Sequence, residues 1–194
     1  MATVTFVAPL VVVAYILFFA HDWLLVSRPS FVRSNLVFAL AFLLVVVAAG
    51  FFLFSQIAFC PWDTLSLISL VMALLFFALT IKSLFFSLPK GTYASPEQGR
   101  HVYTQGMYAL CRHPGVLWYC LMFVAFALML RTPESFACCA LLCAGNVAYM
   151  VFQDCWSFPR TFCDYAGYKT TVPFFIPTPT SIRHALKPTK VGDC

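Results

Sequence analysis

Arg112 and His113 stand side by side within Thr104–Tyr119, immediately before Pro114, where a polar segment gives way to an apolar run. A guanidinium offers a planar fork of donors that fits a carboxylate or phosphate, and an imidazole exchanges a proton near neutral pH. Pro114 suits the first turn of a helix, where its missing N–H is not needed. His113 then falls near the N-cap and Arg112 just outside it. The unsatisfied N–H groups of such a helix end favour an anionic ligand group.

A second polar zone follows the last apolar run. It holds Gln153 and Asp154, then Phe162, Tyr165 and Tyr168, then the run Val172–Pro177. Tyr165 and Tyr168, three residues apart, share one face of a helix, about three turns on from Asp154. Val172–Pro177 is apolar but short and carries two prolines. It is expected to lie against the membrane or back over the site rather than to cross a bilayer.

The elements that must position these residues are set by composition. The chain of 194 residues is 62% hydrophobic and only 10% charged, with 22 Phe. Soluble domains carry about 25% charged residues, so lipid rather than water solvates this chain. Runs long enough to cross a bilayer predict an all-α, polytopic membrane protein of one domain with about five transmembrane helices. The spans run near Thr5–Val26, Leu36–Phe59, Leu65–Leu88, Val116–Leu130 and Phe136–Phe152, with a tight hairpin at Arg131–Glu134. Residues 1–99 form the three N-terminal spans, 100–177 the chemistry-bearing region, and 178–194 a flexible tail; a polar linker from Pro89 to Arg100 offers a possible re-entry. The first span is too long, and lacks the basic start and cleavage site, for a removable signal peptide.

Basic residues orient the spans. Arg28, Arg33, Lys90, Arg100, Arg112, Arg160, Lys169, Arg183, Lys187 and Lys190 fall on one side, and Arg131 alone on the other. This asymmetry puts the N-terminus outside and the third loop and C-terminal segment in the cytoplasm. Lys82 snorkels to the same surface. The formal net charge of +5 reads as topology and headgroup contact, with no motif for nucleic acid. The nine cysteines show no Cys-x-x-Cys pair. They read as small apolar residues of the spans or thiols of a reducing compartment, and no metal site is expected. His21 and Asp22, near the inner end of the first span, read as an interfacial pair, and Asn146 as interhelical glue.

Thr104, Gly106 and Tyr108 followed by Arg112, His113 and Pro114 resemble the Thr-x-Gly-x-Tyr-x-x-x-Arg-His-Pro signature of the isoprenylcysteine carboxyl methyltransferase and phospholipid methyltransferase family. The signature's second half is two glutamates, a Phe-Gly, two tyrosines three apart and Val-Pro-x-x-Ile-Pro. The chain places Gln153 and Asp154, Phe162 and Cys163, Tyr165, Tyr168, and Val172–Pro177 at the same spacing. The match covers about residues 100 to 177. It departs in the glutamate pair, and in Val116 and Trp118 where many relatives carry Tyr and Gly.

The resemblance implies methyl transfer from S-adenosyl-L-methionine to a membrane-borne lipid or other lipophilic acceptor. The cofactor would sit on the cytoplasmic side, under a C-terminal segment folded over it, and the acceptor would enter from the bilayer. Under it, Arg112 pairs with the cofactor carboxylate and Asp154 with its ammonium or ribose hydroxyls. Tyr108, Tyr165, Tyr168 and Trp118 offer aromatic faces or hydroxyls near the sulfonium; His113 and Pro114 complete the cofactor contacts, and Gln153 and Phe174 face the acceptor. Arg112 and His113 are the expected catalytic pair, His113 serving as base for an amine or thiol acceptor. A bacterial inner membrane and the endoplasmic reticulum both fit. Two other expectations remain open: an NADPH-dependent reductase like membrane sterol reductases, which share the C-terminal pattern, and a catalytically inactive lipid-binding scaffold of the same fold.

Overall fold

A computed structural model describes residues 2–27, 34–87 and 100–186. The polar linker before Arg100 and the last eight residues lie outside the described residues, as do Arg28, Arg33, Lys90, Lys187 and Lys190. Among the described residues the chain is all-helical, with an isolated backbone bridge between Arg100 and Phe162.

The long helices are α1 (Ala2–Ser27), α2 (Ser34–Gln56), α3 (Thr64–Ile81), α5 (Pro114–Leu130) and α6 (Pro133–Phe152). The short ones are α4 (Met107–Leu110), α7 (Phe158–Thr161), α8 (Tyr165–Thr171) and α9 (Pro179–Ala185). Four helical stretches, Ala2–Ser27, Asn35–Phe59, Thr64–Phe86 and Pro133–Thr161, are long and apolar enough to cross a membrane. Large apolar side chains such as Phe54, Val71 and Phe86 point outward, each more than half exposed, as lipid-facing positions do. The chain has the build of a polytopic membrane protein. The fourth expected span corresponds to α5, only 17 residues long; at about 1.5 Å per residue it reaches ~26 Å, against a hydrocarbon core of roughly 30 Å.

Local chemistry fixes the helix ends. Asp63 caps α3 by accepting from Ser66 N at 2.9 Å. α5 stops at Arg131, whose left-handed backbone lets its N–H reach Ala127 O at 2.9 Å. Thr132 and Ser135 then form a reciprocal capping box, with Pro133 at the first helical position of α6. These devices make the tight α5–α6 hairpin that Arg131–Glu134 predicts. At the opposite end of the bundle both α3 and α6 loosen into π-helical turns, Lys82–Phe86 and Gln153–Ser157.

Packing orders the long helices as α2, α1, α6, α5, α3, each against the next. Val7, Val11, Tyr15 and Phe18 of α1 meet Ala48 and Phe52 of α2 and Leu142 and Tyr149 of α6 in one buried cluster. Gly145 permits the tightest approach in this seam, because a Cβ there would overlap the ring of Tyr15. With Gly145, Tyr15 also donates to Leu142 O at 3.2 Å, a small-residue contact of the kind that brings membrane helices together. The start of the expected flexible tail forms α9, held by a Thr178–Ser181 capping box and packed against α4.

Candidate functional site

Pro114 starts α5 and His113 sits at its N-cap, as the sequence predicts. The residues around that cap come from four directions. Gly115 lets the π turn of α3 come close, since a Cβ there would lie 3.0 Å from Leu84 Cδ2. The arm from Arg100 to α4 runs beside the chain that follows α7: Cys163 N–H donates to Arg100 O at 3.0 Å. Tyr108 donates to Ser83 O at 3.1 Å and Tyr168 to Tyr108 O at 2.7 Å, tying α3, α4 and α8 together.

Arg112 forms the centre of the closure. Its Nε donates to Asp154 Oδ1 at 2.8 Å, and its Nη2 to Asp154 Oδ2 at 3.4 Å. Its Nη1 donates to Lys169 O and Val172 O, both at 3.0 Å, and its backbone N–H to Pro173 O at 2.9 Å. Phe174 covers the guanidinium, with Cζ 5.3 Å from the ring centroid. Four of the five guanidinium N–H groups are thus spent on Asp154 and the C-terminal segment. Val172–Pro177 accordingly lies back over the site, one of the two placements its two prolines left open.

Asp154 collects donors. Lys169 Nζ lies 2.8 Å from Oδ2, Tyr165 donates to Oδ1 at 2.6 Å, and His113 Nε2 stands 3.4 Å from Oδ1. The three helical turns expected between Asp154 and Tyr165 are replaced by a reversal at Phe162–Asp164, where the backbone turns extended after α7. That reversal folds the phenol back onto the carboxylate. Burial pushes the phenols of Tyr165 and Tyr168 well above the ordinary tyrosine range, so both act as neutral donors. Burial likewise holds the His113 imidazole below its ordinary pKa, against the opposing pull of Asp154. The ring lies parallel to Phe158, centroids 5.7 Å apart, and edge-on to Phe174. In the neutral ring the contact with Asp154 assigns the proton to Nε2 and leaves the lone pair on Nδ1. Burial also raises the Cys111 thiol to about 11, which removes it as a nucleophile.

These elements line a partly open cavity of about 530 Å³. Of the residues singled out in the sequence, Tyr108, Arg112, His113, Pro114, Gln153, Tyr165 and Tyr168 line it. Asp154 and Phe174 lie behind the wall, engaged with Arg112. Trp118 lies elsewhere, parallel to Phe76 of α3 with ring centroids 6.2 Å apart.

The far wall brings in His21 and Asp22, which the sequence marks only as an interfacial pair. Asp22 of α1 lines the cavity, only 4% exposed. It accepts from Tyr149 at 2.9 Å and Gln153 Nε2 at 3.1 Å, and lies 3.0 Å from His21 Nδ1. Among the described residues no lysine or arginine pairs with it. His21 and Asp22 do form the pair that the sequence suggests, and an aspartate inside a membrane-length apolar run is the sequence signal that it faces the bundle interior or a cavity. The cavity therefore has Arg112, His113 and the tyrosines at one end and the Asp22 carboxyl at the other.

No family model, curated protein or solved structure matches this chain. The site must be read from its own chemistry.

Proposed function

We propose that the chain is an integral membrane enzyme transferring a methyl group from S-adenosyl-L-methionine to a lipophilic, membrane-borne acceptor. In this reading α5 completes five crossings, the N-terminus is outside, and the cavity opens on the cytoplasmic face where the basic loops gather. The observation that carries the proposal is the cavity of about 530 Å³, with Arg112, His113 and the tyrosines on one wall and the Asp22 carboxyl on the other. Its volume lies in the range of small-molecule sites, roughly 300–1,000 Å³.

The cavity fits the methyl donor in two respects. The donor carries an ammonium and a sulfonium, and the buried Asp22 carboxylate has no lysine or arginine counter-ion among the described residues. Tyr108, Tyr165 and Tyr168 bring phenol rings to the opposite wall, with faces that attract a cation. The donor supplies an activated methyl carbon for direct displacement. The chain's part is to hold the two reactants in line, keep water out and, for an amine or thiol acceptor, take up a proton at the Nδ1 lone pair of His113. Arg112 acts as the clamp that closes the roof, with one remaining N–H for the donor carboxylate.

Thermal unfolding of the detergent-purified protein tests this reading. S-adenosylhomocysteine, the product of methyl transfer, should raise the Tm, and NADPH should not. Asp22→Asn should lose most of the ligand-induced rise. Stabilisation by NADPH alone would move the reading to a reductase, and indifference to both ligands to a scaffold. Labelled methyl donor incubated with the enzyme and a total membrane lipid extract then identifies the acceptor.

A further inference from the structure

The arm leading to α4 and the turn before α8 bring together three side chains that the methyl-transfer reading does not use. Cys163 Sγ lies 3.5 Å from His101 Nδ1, and the same nitrogen lies 3.3 Å from Asp164 Oδ2. The three ligand atoms all fall within 4.8 Å of one another, and all three residues are exposed. The same sulfur also lies 3.7 Å from His101 Nε2, so it stands off the in-plane axis of Nδ1, while the carboxylate approaches that nitrogen.

We propose that His101, Cys163 and Asp164 bind one divalent cation of the zinc class, with water in the fourth position. A tetrahedral zinc with bonds of about 2.3 Å to sulfur and about 2.0–2.1 Å to nitrogen and oxygen sets the S···N edge near 3.5 Å and the N···O edge near 3.3 Å. The N···O distance meets this, and seating the sulfur as well needs a turn of the exposed His101 ring, since Sγ lies 3.7 Å from Nε2. The site is also braced. Asp164 Oδ1 accepts from Val102 N at 2.9 Å, which turns Oδ2 towards the histidine, and the Cys163 N–H bond to Arg100 O fixes the two chains beside each other. The thiol proton, directed at Arg100 O at 3.4 Å, leaves to solvent as the thiolate forms. Thiolate, imidazole and carboxylate together suit zinc and related borderline metals rather than magnesium or calcium. Arg100 and Phe162, bridged to each other, line the cavity, so a metal here would staple the entrance arm to the roof. The inference does not depend on the methyl-transfer reading.

Cobalt(II) titration of the full-length, detergent-purified protein under reducing conditions tests it. The expected result is one equivalent bound, with thiolate-to-metal charge-transfer absorption and the visible bands of a tetrahedral site. Zinc should displace the cobalt. Cys163→Ser and His101→Ala should each weaken binding by at least the 10- to 100-fold that even changes to the groups supporting a ligand cost. Cys155→Ser, which removes another exposed thiol, should leave the spectrum unchanged. The two ligand positions are exposed, so these substitutions leave the helical core intact. Absence of the charge-transfer band, or its survival in Cys163→Ser or His101→Ala, overturns the proposal.

Discussion

Arg112 and Asp154, 42 positions apart in sequence, form a buried ion pair at 2.8 Å in which both side chains are less than a tenth exposed. The same guanidinium holds the carbonyls of Lys169 and Val172. One residue therefore binds the end of α6 to the start of α5 and folds the C-terminal segment over both.

Removing the carboxylate would leave Arg112 and Lys169 facing each other without their shared counter-ion. Breaking a buried pair costs about 3–5 kcal/mol. Asp154→Asn should accordingly lower unfolding stability in detergent by about 3 kcal/mol and expose the segment after Phe162 to proteolysis. Unchanged stability and cleavage would show that the clamp does not hold the roof.

Tyr165 and Tyr168 separate two roles that the sequence shows as one pattern. Tyr165 donates to a charged carboxylate at 2.6 Å and Tyr168 to a neutral carbonyl at 2.7 Å. Hydrogen bonds to charged groups contribute about 1.5–3 kcal/mol and neutral ones about 0.5–1.5. Tyr165→Phe should therefore cost more stability than Tyr168→Phe, as measured by denaturant unfolding of each variant. Equal losses would count against the Asp154 hub.

His113 gives the fold a pH dependence of definite sign. Its environment is set by desolvation first, with Asp154 raising its pKa and Arg112 and Lys169 lowering it, for a net depression. The unfolded chain takes up a proton as pH falls through about 6.5 while the folded chain does not. This group's contribution is thus intact above that pH and is lost progressively below it, down to the depressed folded value. Tm measured between about pH 7.5 and 5 should fall more steeply for the natural chain than for His113→Gln. A parallel pair of curves would remove His113 from the account.

The seam between α1 and α6 is testable by one methyl group. Gly145→Ala would push a Cβ into the ring of Tyr15, and overpacking of this kind costs about 1–3 kcal/mol. The helix gains intrinsic propensity from alanine, so a net loss of stability isolates the close contact. Net stabilisation would mean that the two helices are free to move apart.

The sequence by itself determined the membrane-spanning helical class, because an apolar excess of this size has no other solvent. It also determined the start of α5, since Pro114 suits only a first turn, and the α5–α6 hairpin, whose capping box is local. It singled out most of the basic and aromatic wall of the cavity, because Arg112, His113 and the tyrosines are polar groups at the ends of apolar runs. Tertiary structure alone decided who meets whom. Asp154 became the hub behind Arg112 through the reversal at Phe162–Asp164, which no helical periodicity encodes. Trp118 turned to Phe76 because its position on α5 faces α3. Asp22 reached the cavity only because α1 packs against α6, and His101 reached Cys163 only because two loop arms run side by side. Spacing along a chain reports neighbours within one element; contacts between elements depend on packing that the sequence encodes collectively and no short motif displays.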